Sequence, residues 1–352
     1  MTALDPMEVA DMTAYGSQLV AAPDADGYWH RALSVGNSAQ PPVLQPYPSV
    51  VRNVDVYNLT FAGYDDHPIR GWVLSPRGAA SAHRELPAHE ELPVHGELPA
   101  DRRLPCVVEF IGYGGGRGLP HDWLYWSACG FVHVVMDTRG QGSSWRRGDT
   151  PDRGAAGSPQ VPGFLTAGLP NVDDLYYRRL FVDAVRAVDA ARSIPYVDPD
   201  AVTVTGVSQG GALALAVAAL RHDIFATMPD VPFLCDIRRA ARIATVKPFT
   251  ELAEWLAVHR AEADDALAAL DYVDVALLAP KASAPAYFSV AMRDEICPPS
   301  TVYAAFNRYG GMDKEIAAYP WNNHEGGQSF HQVRQAEWLT DRLTRAGRAL
   351  PA

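Results

Sequence analysis

Ser208 stands in TVTGVSQGGALAL (Thr203 to Leu215), where Gly206 and Gly210 complete the pattern G-x-S-x-G. A serine hydroxyl is a poor nucleophile at neutral pH. It becomes a useful one when a base takes its proton and a carboxylate orients that base. Two later segments offer these partners: RDEICPPS supplies Asp294 and Glu295, and WNNHEGGQ supplies His324. Asp294 comes first after the apolar run AYFSVAM and is the shorter acid, which suits a rigid orienter. His331 is a rival base, but it falls past the loop, in a helical pattern. His324-Glu325 is not a zincin motif, because the second histidine at helical spacing is missing.

Acyl transfer also needs two N–H groups aimed at one developing oxyanion. One is expected from the residue after the nucleophile, Gln209. The other is expected from the glycine-rich stretch Gly112, Tyr113, Gly114, Gly115 and Gly116, where the backbone can approach a ligand closely. No Gly-Lys-Ser/Thr follows these glycines, which argues against a phosphate-binding loop.

These groups need elements to hold them. The β-branched run AVTVT before Ser208 predicts a strand, and GALALAVAALR predicts a helix directly after it. CVVEFIG and FVHVVMDT predict buried strands, the first running into the glycine-rich stretch. DDLYYRRLFVDAVRAVDAARSI predicts an amphipathic helix with Leu180, Ala184, Val185 and Val188 on one side. AYFSVAM and EIAAYP predict strands, each followed by a loop, and VRQAEWLTDRLTRAG a last helix. VRNVDVYNLTFAG and IRGWVLSP predict an antiparallel start. The fold class is therefore α/β, with a mostly parallel central sheet and helices on both faces. Serine, acid and histidine follow in the chain order of an α/β-hydrolase fold, each after a strand. Chemistry in such sheets gathers at the carboxyl ends of the strands.

Residues 1–50 read as an N-terminal extension ending in a proline-rich connector, and residues 51–352 as the catalytic domain. A low-complexity insertion at about 79–104 repeats Leu-Pro every six residues, at Leu86, Leu92, Leu98 and Leu104, with His83, His89 and His95 in step. Proline at that interval forbids a continuing helix, and one apolar residue per repeat builds no core. A solvated loop is the expectation.

The formal net charge of -11 argues against nucleic acid or an acidic membrane as partner. Four scattered cysteines (Cys106, Cys129, Cys235 and Cys297) suggest buried free thiols rather than a disulfide framework. MTALDPMEVADMTAYG is acidic rather than basic-then-apolar, and no run approaches the roughly 20 apolar residues of a membrane span. A cytoplasmic location is the expectation.

With these residues in view, the chain resembles carbohydrate esterase family seven, the acetyl xylan esterases and cephalosporin C deacetylases. The resemblance rests on EFIGYGGGRG, MDTRGQGSSW, GVSQGG, DVPFLCDIRRA, DEICPPST and NNHEGG, in that order, from about Val51 onward. It implies a Ser208–His324–Asp294 triad with oxyanion donors at the Tyr113 and Gln209 amides, and no metal or cofactor. It implies deacetylation of small acetylated sugars and of acetylated cephalosporins, and a homo-oligomer, a hexamer built from dimers. Asp230, Val231, Pro232 and Phe233 are then expected to line the acyl side of the pocket, with the Tyr113 ring over the acetyl group. Arg139, Gly140 and Gln141 are expected to be structural, Arg139 binding Asp137 or a nearby carbonyl and bracing the elbow. Val207 stands where the family usually has glycine, and is expected to point into the fold. The first 50 or so residues resemble the family least. Rival readings are another activity on the same fold (peptidase, lactonase or longer-acyl esterase) and a non-catalytic scaffold.

Overall fold

The computed structural model describes residues 5–15, 18, 20–36, 40–82, 103–152, 161–348 and 350. Nine strands form one sheet: β1 (Val43–Pro46), β2 (Val54–Ala62), β3 (Pro68–Pro76), β4 (Leu104–Phe110), β5 (Val132–Met136), β6 (Val197–Val207), β7 (Ala226–Asp230), β8 (Ala286–Ala291) and β9 (Lys314–Tyr319). Their spatial order is β1-β2-β3-β5-β4-β6-β7-β8-β9. β1, β2 and β3 pair antiparallel, as does β3 with β5. Every pair from β5 to β9 is parallel. This is the expected α/β-hydrolase arrangement, with an antiparallel start feeding a parallel body.

Central strands must be apolar on both faces, because helices cover both. β4 and β5 are buried almost throughout, and β8 entirely. The helix Tyr176–Arg192 lays its predicted stripe of Leu180, Ala184, Val185 and Val188 into the core. The helix Gln209–Leu220 has no polar face after its first residue, and every residue from Gln209 to Ala219 is buried. A helix apolar all round belongs inside, and this one packs on β6, β7 and β4 and on the helix Tyr176–Arg192.

The N-terminal segment is joined to this body more closely than an extension would be. Trp29 stacks on Phe181 at 5.5 Å between ring centroids and donates its indole N–H to the Tyr272 carbonyl. Tyr28 is likewise buried, its hydroxyl donating to the Val172 carbonyl. Part of the proline-rich connector is β1, at the sheet edge, where proline is tolerated. The Leu-Pro repeat falls between β3 and β4. Its residues 83–102 lie outside the described residues. Among the described residues, no helix is long and apolar enough to cross a membrane.

Candidate active site

β6 ends in the elbow. Ser208 follows it with φ 59° and ψ −116°, a backbone state that side-chain-bearing residues rarely adopt. Such strain persists only when the surroundings hold it. Here the Ser208 amide donates to the Asp230 carbonyl at 2.9 Å, and the Ser208 carbonyl accepts from Phe233 and Ala212 at 3.0 Å each. The flanking glycines are a matter of space. A Cβ at Gly210 would stand 2.1 Å from the Phe110 carbonyl oxygen, and one at Gly206 would stand 2.6 Å from that same atom. The turn therefore fits against the end of β4 only without side chains at 206 and 210.

The loops after β8 and β9 bring the acid and the imidazole together. Asp294 Oδ2 lies 2.9 Å from His324 Nδ1. The other oxygen, Oδ1, accepts from the amides of Ile296 and Cys297, both at 2.8 Å. The carboxylate is thus fixed by its own turn while it faces the ring. Asn323 ties the two loops to each other, its Oδ1 accepting from the amides of Glu295 and His324 at 3.0 Å and 2.8 Å. His331 lies elsewhere, wholly buried, with its Nδ1 3.0 Å from the Tyr319 hydroxyl.

Cys297 completes the cluster, and sequence reasoning had assigned it no part in the site. Its thiol interacts with the Ser208 hydroxyl. Its Sγ, an Asp294 oxygen and a His324 ring nitrogen all lie within 4.8 Å of one another. Burial holds the thiol well above its ordinary pKa, so it stays protonated. Among the described residues, Ser208 makes no direct hydrogen bond to His324; Cys297 stands beside both. Its place three residues after Asp294 in DEICPPS was the available signal.

The glycine-rich loop and the elbow are held by one polar network. Gln141 Oε1 accepts from the Gly114 amide at 2.6 Å, and Gln141 Nε2 donates to Gln209 Oε1 at 2.9 Å and to the Tyr176 hydroxyl at 3.0 Å. Gln209 Nε2 donates to the Ile111 carbonyl, and Tyr177 donates to Gln209 Oε1, each at 3.0 Å. Among the described residues the backbone N–H groups of Tyr113 and Gln209 donate no hydrogen bond. Tyr113 is fixed by its hydroxyl, which donates to Glu251 at 2.7 Å and accepts from the amides of Gly163 and Phe164 at 3.0 Å and 2.8 Å. Its ring meets those of Phe164 and Phe233 edge-on. Phe233 also packs on Phe249 at 4.7 Å between centroids.

Asp230, Val231, Pro232 and Phe233 are all buried around the elbow. Asp230 accepts from Ser289 Oγ, and the same oxygen accepts from the Val231 amide at 3.0 Å. Burial holds Asp230 above its ordinary pKa. Two expectations need correcting. Arg139 binds neither Asp137 nor a neighbouring carbonyl; it forms a buried two-pronged pair with Asp183, at 2.5 Å and 2.7 Å, and reaches Asp152 at 3.2 Å. Asp137 is instead satisfied by the amides of Arg117, Thr138 and Asp149 and by the Thr150 hydroxyl. Gly140 takes φ +68° in the turn after β5, and its amide donates to the Thr150 carbonyl. Val207 does not point into the fold. It lies beyond the last β4–β6 partners, Phe110 and Gly206, and is 41% exposed. It lines two adjoining clefts of about 250 Å³ and 310 Å³ that share Glu109, Val207 and Gln332; Ser208 lines neither.

A sequence model of the acetyl xylan esterases (AXE1) matches residues 1–92 and 87–342. The match takes in the N-terminal segment that resembles the family least to the eye. Over 164 residues the chain is 32% identical to acetyl esterase Axe7A of Xylanibacter ruminicola, a stretch covering 46% of this chain but only 36% of that longer relative. Two solved structures are similar over nearly the whole chain. The acetyl xylan esterase from Paenibacillus sp. R4 aligns with TM-score 0.81 and 30% identity, covering 95% of this chain and 99% of that one. Acetyl xylan esterase 1 from Thermoanaerobacterium sp. JW/SL YS485 aligns with TM-score 0.79 and 28% identity, covering 95% and 98%.

Proposed function

The chain belongs to the acetyl xylan esterase family, a family of carboxylic ester hydrolases, and from that premise we propose that it is a serine esterase removing acetyl groups from small acetylated substrates. The observation that carries the proposal is the Asp294–His324 pair at 2.9 Å, set beside a nucleophile elbow whose backbone is held in a strained turn. His324 takes the proton as Ser208 attacks the acetyl carbonyl. The amides of Tyr113 and Gln209 receive the oxyanion, and Asp294 orients the imidazole and stabilises its charged form. His324 then protonates the departing alcohol, and water hydrolyses the acetyl-enzyme by the same steps. Among the described residues the resting site has no direct Ser208–His324 hydrogen bond. Catalytic hydrogen bonds commonly tighten only when substrate is bound.

The preference for a short acyl group is supported by the fixed Tyr113 ring and the Phe233–Phe249 pair beside the elbow. Acetylated xylo-oligosaccharides and cephalosporin C are the proposed substrates, and a hexamer the proposed assembly, to be checked by light scattering.

Hydrolysis of p-nitrophenyl esters of increasing chain length tests the reading. A sharp maximum at acetate is expected. Ser208→Ala should fold normally and lose turnover, while an organophosphate should label Ser208 alone in the wild type. Retained turnover in Ser208→Ala would refute the mechanism, and a maximum at longer acyl chains would move the chain to another activity of the fold.

A further inference from the structure

The turn from Asp294 to Cys297 collects three kinds of ligand atom in one place. The Cys297 sulfur, a His324 ring nitrogen and an Asp294 oxygen lie within 4.8 Å of one another. Asp294 already engages Nδ1 of the ring, so Nε2 is the nitrogen left for another partner. A sulfur and an imidazole nitrogen are ligands for soft and borderline divalent cations such as zinc and cadmium, whereas calcium and magnesium want oxygen alone. A carboxylate on the far ring nitrogen is the arrangement that commonly orients metal-bound histidines. The Ser208 hydroxyl, which interacts with the thiol, is at hand as a further oxygen. Zinc–sulfur and zinc–nitrogen bonds of about 2.3 Å and 2.0 Å in a tetrahedron set the two ligand atoms roughly 3.5 Å apart. The sulfur and the imidazole nitrogen, within 4.8 Å of one another, therefore have to close by up to about 1.3 Å. His324, on a loop with its side chain 25% exposed, is the group able to move.

We propose that Cys297 and His324 together bind a zinc or cadmium ion, with Asp294 bracing the imidazole, and that the bound ion reversibly inhibits the esterase. The ion binds to the Nε2 lone pair and to the sulfur. The thiol gives up its proton to solvent as the metal–sulfur bond forms, and nothing is oxidised or reduced. With Nε2 on the metal, His324 has no lone pair to accept the Ser208 proton. The inhibition rests on the mechanism proposed above; the binding does not.

The test uses the intact protein with zinc chloride or cadmium chloride. Zinc at micromolar concentration should suppress acetyl-ester hydrolysis, and a chelator should restore it. Cys297→Ala and Cys297→Ser should each need at least tenfold more zinc for the same inhibition. Cadmium should produce an ultraviolet thiolate-to-metal charge-transfer band in the wild type and in Ser208→Ala, but not in Cys297→Ala. Ser208→Ala has no turnover to report, so its band reads the site independently of catalysis. A band with undiminished hydrolysis upholds the site and overturns His324 as the base. Equal inhibition of wild type and both cysteine variants, or no band in wild type, overturns the site itself.

Discussion

Gln141 and Gln209 clasp each other under the elbow, with Gln141 Nε2 donating to Gln209 Oε1 at 2.9 Å and Gln209 Nε2 donating back to Gln141 Oε1 at 3.3 Å. Both side chains are fully buried. Gln141 also accepts from the Gly114 amide, so one side chain fixes the relative position of the two backbone stretches assigned to the oxyanion. Gln141→Ala should leave buried donors unpaired at a cost of about 1–3 kcal/mol. Because the two amides then lose their common brace, kcat should fall by up to about 10²-fold. Steady-state kinetics alongside thermal unfolding would check this. A stability loss with unchanged kcat would show that the network supports the fold alone.

The RGQ triplet owes its other half to Arg139. Its guanidinium engages both oxygens of Asp183 in a setting where neither side chain is more than 1% exposed. Removing one partner of such a pair strands the other charge, at about 3–5 kcal/mol. Arg139→Met, which strands Asp183, should destabilise by that order, and Asp183→Leu by less, since Asp152 still faces the guanidinium. The double variant should cost clearly less than the sum, since no charge is left unpaired. Urea unfolding of the four proteins measures the coupling, and strict additivity would rule the pair out as the cause.

The elbow turn and the pairing of Asp294 with His324 were legible because each lies in a short local pattern. G-x-S-x-G follows a β-branched strand, and Asp294 and His324 come within five residues of the ends of theirs. The partner of Arg139 was not legible, because Asp183 is 44 residues away on a helix face whose register against the loop only the packed structure sets. β7 was missed for a different reason. It is five residues long and ends Pro229-Asp230, two types that strands avoid. It forms because β6 and β8 flank it with parallel partners. The N-terminal segment reads in the sequence as an extension, and its contacts with the body were not legible there: Asp5 binds Arg239 and the Ser300 amide, and Asn307 donates to the carbonyls of Met12 and Tyr15.

Glycine is required at 210 but not at every glycine of the chain. Gly210→Ala places a methyl group 2.1 Å from the Phe110 carbonyl oxygen, which is backbone of a central strand and cannot yield. The loss should reach the upper end of the roughly 1–3 kcal/mol that overpacking costs. Gly27, in the helix Ala25–Ser34, meets only the end of the Arg31 side chain at 3.3 Å. Gly27→Ala should be neutral, or stabilising by about 0.5–1 kcal/mol. Melting temperatures of the two variants should move apart; a similar fall in both would show that the contact at Phe110 is not what decides.

His331 should make stability depend on pH on the acid side of neutrality. The ring is fully buried, and among the described residues its Nε2 has no hydrogen-bond partner. Burial, with Arg334 acting in the same sense and Asp230 opposing, holds its pKa below the ordinary 6.5. The unfolded chain therefore takes up a proton near 6.5, while the folded chain takes it up only at lower pH. Between those values the unfolded state carries more protons, so stability rises with pH through that window and is lost as pH falls from about 6.5. His331→Gln keeps a polar group for the Tyr319 hydroxyl and removes the titration. The fall in melting temperature from about pH 8 to about pH 5 should be smaller in this variant than in the wild type. Parallel curves for the two proteins would assign the acid sensitivity to other groups.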